Sequence, residues 1–256
     1  MKRLTNAIKG RPALQPFLEK LHPLLLHAMG IGTGGEAETG GETVALQYIK
    51  QKLYGTARPV LFDVGANRGN YTKLLAEMFP NANIFAFEPS PKTFETLRDM
   101  CPSSVKVLNI GLSDSSEKAI LYTNKNNSAI ASIYKRNLTG KHTLDETEKI
   151  ELDTVDNFCA KNHLSSVELL KLDVEGNELK CLHGAQQMLS ENKIRFIQFE
   201  FGGCNVDSRT FFRDFYELLK ENYRIWRIMQ HGLYEIKQYG EIREQFITTN
   251  YLAEHK

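Results

Sequence analysis

The stretch that most constrains this chain runs from Val60 to Glu88 and reads VLFDVGANRGNYTKLLAEMFPNANIFAFE. An apolar run, Val60, Leu61, Phe62 and Val64, enters a glycine-bearing turn at Gly65–Gly69. Tyr71, Leu74, Leu75 and Met78 follow at helical spacing. A second apolar run, Ile84 to Phe87, then ends in an acid, Glu88. Strand, tight turn, helix, strand and acid make the βαβ half of a nucleotide-binding sheet.

The turn can be read further. Gly65 and Gly69 permit positive φ or a close backbone approach, and Asn67 is one of the few other residue types that tolerates positive φ. The dinucleotide fingerprint G-x-G-x-x-G needs glycines at 67 and 70, where this chain has Asn67 and Asn70. A pyrophosphate therefore has no ready glycine cradle, which weighs against a nicotinamide-dependent oxidoreductase. Asp63, at the carboxyl end of the first strand, suits a cationic ligand or an amine. Glu88 stands where an acid can accept both hydroxyls of a ribose. A nucleoside with a positive centre and an amino-acid tail, S-adenosylmethionine (SAM), fits these residues. An ordinary βαβ unit with a capped turn is the plainer alternative.

Length and charge narrow the classes. The 256 residues suit one α/β domain with a small appendage: residues 1–41 as a helical extension with a glycine-rich loop, and residues 42–256 as the main domain. A net charge of +1 leaves no electrostatic footprint for nucleic acid. No apolar run approaches the roughly 18 residues of a membrane span, and the amino terminus lacks the apolar core of a signal peptide. Cys101, Cys159, Cys181 and Cys204 show no C-x-x-C spacing and read as reduced packing cysteines of a cytoplasmic protein. In the extension, Leu14, Phe17, Leu18, Leu21, Leu24, Leu25 and Met29 recur at helical spacing. Their face is expected to pack on the main domain, and Pro23 to kink or divide the helix. Gly30–Gly41 reads equally as a flexible linker and as a loop folding over a cofactor.

The second informative stretch is VELLKLDVEGNE, Val167–Glu178. Its apolar run suits a central parallel strand, and the two-residue period puts Lys171, Asp173 and Glu175 on one side. Charges at the end of a buried strand are costly unless paired or working. A structural ion pair is one reading. Catalytic or substrate-binding use of Asp173 is favoured, because ligands of open α/β sheets sit at this rim. The next strand, Ile194–Phe201, brings Glu200 to the same rim. The strand over Val105–Ile110 leads to Gly111–Asp114, where Ser113 or Asp114 can face an adenine. Asn124–Thr147 is polar and interrupts the α/β rhythm, as a lid or binding loop would. Its Ser128, Ser132 and Tyr134 are candidates to meet a polar substrate, with a solvated loop as the plainer reading.

DVGANRGNYT with FEPSP, LLKLDVEGNE with LHGA, and the ending TTNYLA together resemble the FkbM family of SAM-dependent methyltransferases, over about Glu42 to Leu252. The resemblance implies a Rossmann-like class I methyltransferase fold with a mostly parallel, seven-stranded sheet. It implies cofactor roles for Asp63, Gly65, Asn67, Gly69 and Glu88, and an active-site position for Asp173. With their neighbours Ala66, Tyr71, Pro89 and Ser113, these make the expected cofactor-binding set. Asp173, Glu175 and Glu200 are the expected catalytic acids, Asp173 first as general base. A divalent metal on Asp173 and Glu200 would suit carboxylate chemistry, but none is assigned. The expected reaction is O-methylation of a sugar or secondary-metabolite hydroxyl, on a small-molecule or glycan acceptor. D-V-E-G in place of N/D-P-P-Y/F weighs against methylation of amino groups on adenine or glutamine. A nicotinamide-dependent oxidoreductase and a non-catalytic SAM-binding protein remain the alternatives, and association into a homo-oligomer stays open.

Overall fold

The computed structural model describes residues 9–35, 40–124, 128–138 and 143–256. In chain order the strands are β1 (Val60–Val64), β2 (Asn83–Phe87), β3 (Lys106–Leu108), β4 (Gly111–Leu112), β5 (Glu117–Thr123), β6 (Glu146–Asp153), β7 (Val167–Leu172), β8 (Ile194–Phe201), β9 (Tyr223–Met229), β10 (Gly232–Glu235) and β11 (Thr249–His255). The helices are α1 (Gln15–Ala28), α2 (Glu42–Lys52), α3 (Asn70–Met78), α4 (Pro91–Met100), α5 (Val155–Lys161), α6 (Glu178–His183), α7 (Gln186–Ser190), α8 (Cys204–Ser208) and α9 (Phe212–Leu219).

The main sheet runs β10-β9-β11-β8-β7-β1-β2-β3. Its five strands from β8 to β3 are parallel. β11 is wedged antiparallel between β8 and β9, and β10 folds back on β9 as a hairpin. Seven of these strands match the expected number, and the hairpin return β10 makes the eighth. Strand alternation divides the core. Phe62, Val64, Phe85, Phe87, Phe199 and Phe201 face one layer with α5, α6 and α9. Leu61, Ile84, Ala86, Leu169 and Phe196 face the other with α2, α3 and α4. The same two-residue period puts Asp63, Lys171, Gln198 and Glu200 on the second face.

A second sheet, β4-β6-β5, stands on the carboxyl-end rim. Part of the polar insertion belongs to it. β6 starts at Glu146, before the end of the polar Asn124–Thr147 stretch, because the antiparallel pairing with β5 extends to Thr123↔Glu146. Ser132 also bridges Tyr122 on β5.

The extension departs from expectation. α1 runs through Pro23 undivided, with Pro16 in its first turn. Of its residues only Leu26 is buried, while Phe17, Leu24, Leu25 and the following Met29 are exposed. Among the described residues no helix is long and apolar enough to cross a membrane.

Candidate active site

A cavity of about 660 Å³ opens at the carboxyl ends of β1, β2, β7 and β8, the rim where open α/β sheets bind ligands. The turn after β1 forms one end. Gly65 has φ 81°, and a β-carbon there would lie 1.8 Å from the Asp173 carbonyl oxygen. Glycine is needed at this point so that the loops after β1 and β7 can touch. The Gly65 and Ala66 N–H groups both donate to Phe87 O at 3.0 Å, and the Gly69 N–H donates to Ala66 O at 2.8 Å. The Asn67 N–H donates to Glu88 Oε2 at 2.9 Å, from a left-handed backbone with φ 48°. These four donors are used inside the protein, which leaves no nest of them for a pyrophosphate.

Glu88 closes that end. Its Oε1 accepts the Ser90 N–H at 2.9 Å, so each carboxylate oxygen takes one backbone donor and keeps a further acceptor site. Burial pushes the Glu88 carboxyl up to about 7, against the pull of those two N–H groups.

A charged row lies beneath the middle of the cavity. Asp63 pairs in register with Lys171, and Lys171 with Gln198, across β1, β7 and β8. Lys171 Nζ lies 3.1 Å from Asp63 Oδ1 and 3.3 Å from Asp173 Oδ2. Burial opposes the Lys171 charge, but the Asp63, Asp173 and Glu42 carboxylates together overcome it and hold its pKa up. Thr72 donates to Asp63 Oδ2 at 2.5 Å. The ammonium also sits 4.9 Å from the Tyr71 ring centroid, and the Tyr71 hydroxyl donates to Gln198 Oε1 at 2.8 Å. Gln198 Nε2 in turn reaches Glu42 Oε1 at 3.4 Å. Burial raises the Glu42 carboxyl to about 7. Gly34, Gly35 and Glu42 all line the cavity, so the described part of the glycine-rich loop borders the site.

Acids dominate the far end. Asp173, Glu175 and Glu200 line it together. Glu175 has φ 53°, an uncommon conformation for a non-glycine residue. The buried Glu178 holds this loop, accepting the Val174 N–H at 2.9 Å and the Gly176 N–H at 3.0 Å. Arg136 pairs with Glu175 and lies 3.7 Å from Asp207. Ser132 Oγ donates to Glu175 O at 2.7 Å. Ser132 and Tyr134 thus tie the insertion down, and the apolar residues alternating with them, Ala131 and Ile133, face the cavity. The Ser128 side chain lies outside the described residues.

Of the residues singled out in the sequence, Gly65, Ala66, Asn67, Tyr71, Glu88, Pro89, Asp173, Glu175 and Glu200 line the cavity. Asp63, Gly69 and Ser113 do not. Asp63 lies below the turn against Lys171. Gly69 precedes α3 with φ 85°, and Ser113 is buried where its N–H donates to Asp153 O. Glu42, Arg136 and Glu178 escaped the sequence reading. Glu42 opens α2 at the end of the glycine-rich loop, Arg136 comes from a segment without periodicity, and Glu178 sits in the motif but acts on backbone donors.

Five parallel strands, a reversed strand between the last two of the parallel direction, and an acid after β2 define a class I, Rossmann-like methyltransferase fold. The pattern of the "Methyltransferase FkbM domain" matches residues 63–235, and the chain belongs to that family. S-adenosylmethionine is the cofactor of these enzymes. The hexuronic acid methyltransferase AglP of Haloferax volcanii is 32% identical over 148 residues, 56% of this chain and 56% of that protein. The 2-O-methyltransferase NoeI of Sinorhizobium fredii is 27% identical over 158 residues, covering 56% of this chain and 63% of NoeI. Methyltransferase sdnD of Sordaria araneosa is 31% identical over 163 residues, 51% of this chain and 62% of sdnD. The chain therefore aligns with less than two thirds of the length of each.

Proposed function

We propose that this chain is a SAM-dependent O-methyltransferase acting on a hydroxyl of a sugar or secondary metabolite. The observation that carries this reading is one cavity joining Glu88 and the Gly65–Asn67 turn to the acids Asp173, Glu175 and Glu200. The residues suit the cofactor. Glu88 keeps acceptor sites for a ribose diol, and a carboxylate-rich lining suits a ligand carrying a sulfonium and an amine. When bound, that group supplies an electrophilic methyl.

The chain's own residues do the rest. Glu88 and the turn bind and orient at one end. Lys171, anchored by Asp63, holds the Asp173 carboxylate at the rim, so Asp63 serves as a positioning residue. Asp173 accepts the proton of the acceptor hydroxyl, with Glu175 and Glu200 beside it, and placing that oxygen in line supplies much of the rate. The segment carrying Ala131 and Ile133 shields the centre from water. AglP, a hexuronic acid methyltransferase, supports a sugar-type acceptor, and NoeI, a 2-O-methyltransferase, supports an oxygen as the methylated atom. The whole of residues 42–256 would form the catalytic domain, with residues 1–41 as its extension.

Calorimetric titration with SAM, S-adenosylhomocysteine and NADH, followed by a screen of glycan and polyol acceptors, tests this. Binding of both adenosyl ligands and methylation of a hydroxyl are expected. Binding of NADH alone would overturn the reading, and adenosyl binding without turnover on any acceptor would favour a non-catalytic SAM-binding protein.

A further inference from the structure

Beside the acids at the far end lies a thiol. Glu175, in the loop after β7, Glu200, near the end of β8, and Cys204, the first residue of α8, converge so that one ligand atom of each lies within 4.8 Å of the others. Three features make this a built cluster. Glu200 is only 8% exposed and lines the cavity, and no hydrogen bond or ion pair among the described residues reaches its carboxylate. Glu175 has a left-handed backbone, φ 53°, and lines the same cavity. Gly176, at φ 106°, would place a β-carbon 3.1 Å from Cys204 O, so the two loops are pressed together at the cluster. An unpaired carboxylate in so buried a place is costly, and nearby Arg136 is engaged by Glu175 and Asp207 instead.

We propose that Glu175, Glu200 and Cys204 form a binding site for a divalent cation of the zinc type at the acceptor end of the cavity. Zinc takes thiolate and carboxylate ligands at about 2.0–2.3 Å, and catalytic zinc sites commonly use three protein ligands with one position open. Ligand atoms at the observed separations need only a small side-chain closure to share one ion. The thiol selects against magnesium and calcium, which prefer oxygen alone. Glu175 and Glu200 line the cavity, so an open position on that side would let an acceptor hydroxyl bind in place of water and become more acidic. Cation binding stands on the geometry alone, whereas its service to methyl transfer rests on the proposed function.

The test uses the full chain, freed of metal by a chelator and titrated with cobalt(II). A near-ultraviolet thiolate-to-cobalt band saturating at one equivalent and erased by added zinc is expected. Cys204→Ser should remove the band, and Glu200→Gln should weaken cobalt binding about tenfold or more. Circular dichroism and S-adenosylhomocysteine binding, read in parallel, show whether each variant is folded. No band in the wild type, or the same band in Cys204→Ser, would overturn the site. Adenosyl binding retained without a band defeats the metal site alone. Loss of both defeats the metal site and the methyltransferase reading together.

Discussion

Lys171 Nζ stands between two carboxylates, 3.1 Å from Asp63 Oδ1 below the floor and 3.3 Å from Asp173 Oδ2 at the cavity. Asp63 is fully buried and Lys171 nearly so. Asp63 does not line the cavity, and it reaches Asp173 only through the lysine.

Lys171→Met should therefore destabilise the fold by about 3–5 kcal/mol, the cost of leaving a buried charge without its partner. The double change Asp63→Leu with Lys171→Met should cost less than Lys171→Met alone. Denaturant unfolding of both variants checks this, and a double variant at least as unstable as Lys171→Met would rule it out.

The contact between Gly65 and Asp173 gives a second expectation. A β-carbon 1.8 Å from a carbonyl oxygen cannot be accommodated without moving one loop. Gly65→Ala adds left-handed strain of about 1–3 kcal/mol. Loss of S-adenosylhomocysteine binding and a lowered melting temperature are expected together, and wild-type affinity in Gly65→Ala would argue against the close approach.

Asp173→Asn should lower turnover about 10²–10⁴-fold, the usual worth of general-base catalysis, with S-adenosylhomocysteine affinity close to wild type. Single-turnover kinetics beside calorimetry separate the two. A matching collapse of affinity would place Asp173 in cofactor binding rather than proton transfer.

The buried acids predict a pH dependence of stability. Glu42 and Glu88 are each raised by burial from 4.5 to about 7. Between those values the folded chain holds protons that the unfolded chain has lost, so the contribution of these two acids to stability falls as pH rises from about 4.5 to 7. Glu88→Gln should flatten part of this slope. In the opposite sense, S-adenosylhomocysteine affinity should rise with pH through about 7, as Glu88 ionises and becomes a full acceptor. Melting curves and calorimetry at pH 5.5, 6.5 and 7.5, taken as round sampling points about that value, suffice, and a Glu88→Gln variant with unchanged profiles would refute the assignment.

Arg136 joins the insertion to Glu175 and Asp207. Arg136→Ala should loosen the segment carrying Ala131 and Ile133 and raise the acceptor KM on the order of tenfold, about 1.4 kcal/mol, with cofactor affinity unchanged. Equal effects on cofactor and acceptor would contradict a role confined to the acceptor side.

The sequence by itself determined the first βαβ unit, the acid after its second strand, the acids after β7 and the acid near the end of β8. Each is written in local periodicity, which strand and helix geometry turn directly into direction. It also placed Lys171 and Asp173 on one side of a strand, although the ion pair with Asp63 needed the register between β1 and β7. The tertiary structure alone decided the rest. Ser132 and Tyr134 turn away from the cavity and Ala131 and Ile133 toward it because Ser132 bridges Tyr122 on β5, a pairing no short-range pattern encodes. Glu42, Arg136 and Cys204 reach the site from segments far apart along the chain. α1 carries a helical apolar stripe, yet it leaves Phe17 and Leu24 exposed. Periodicity says which face of an element is apolar, and only the packed chain says what stands opposite it.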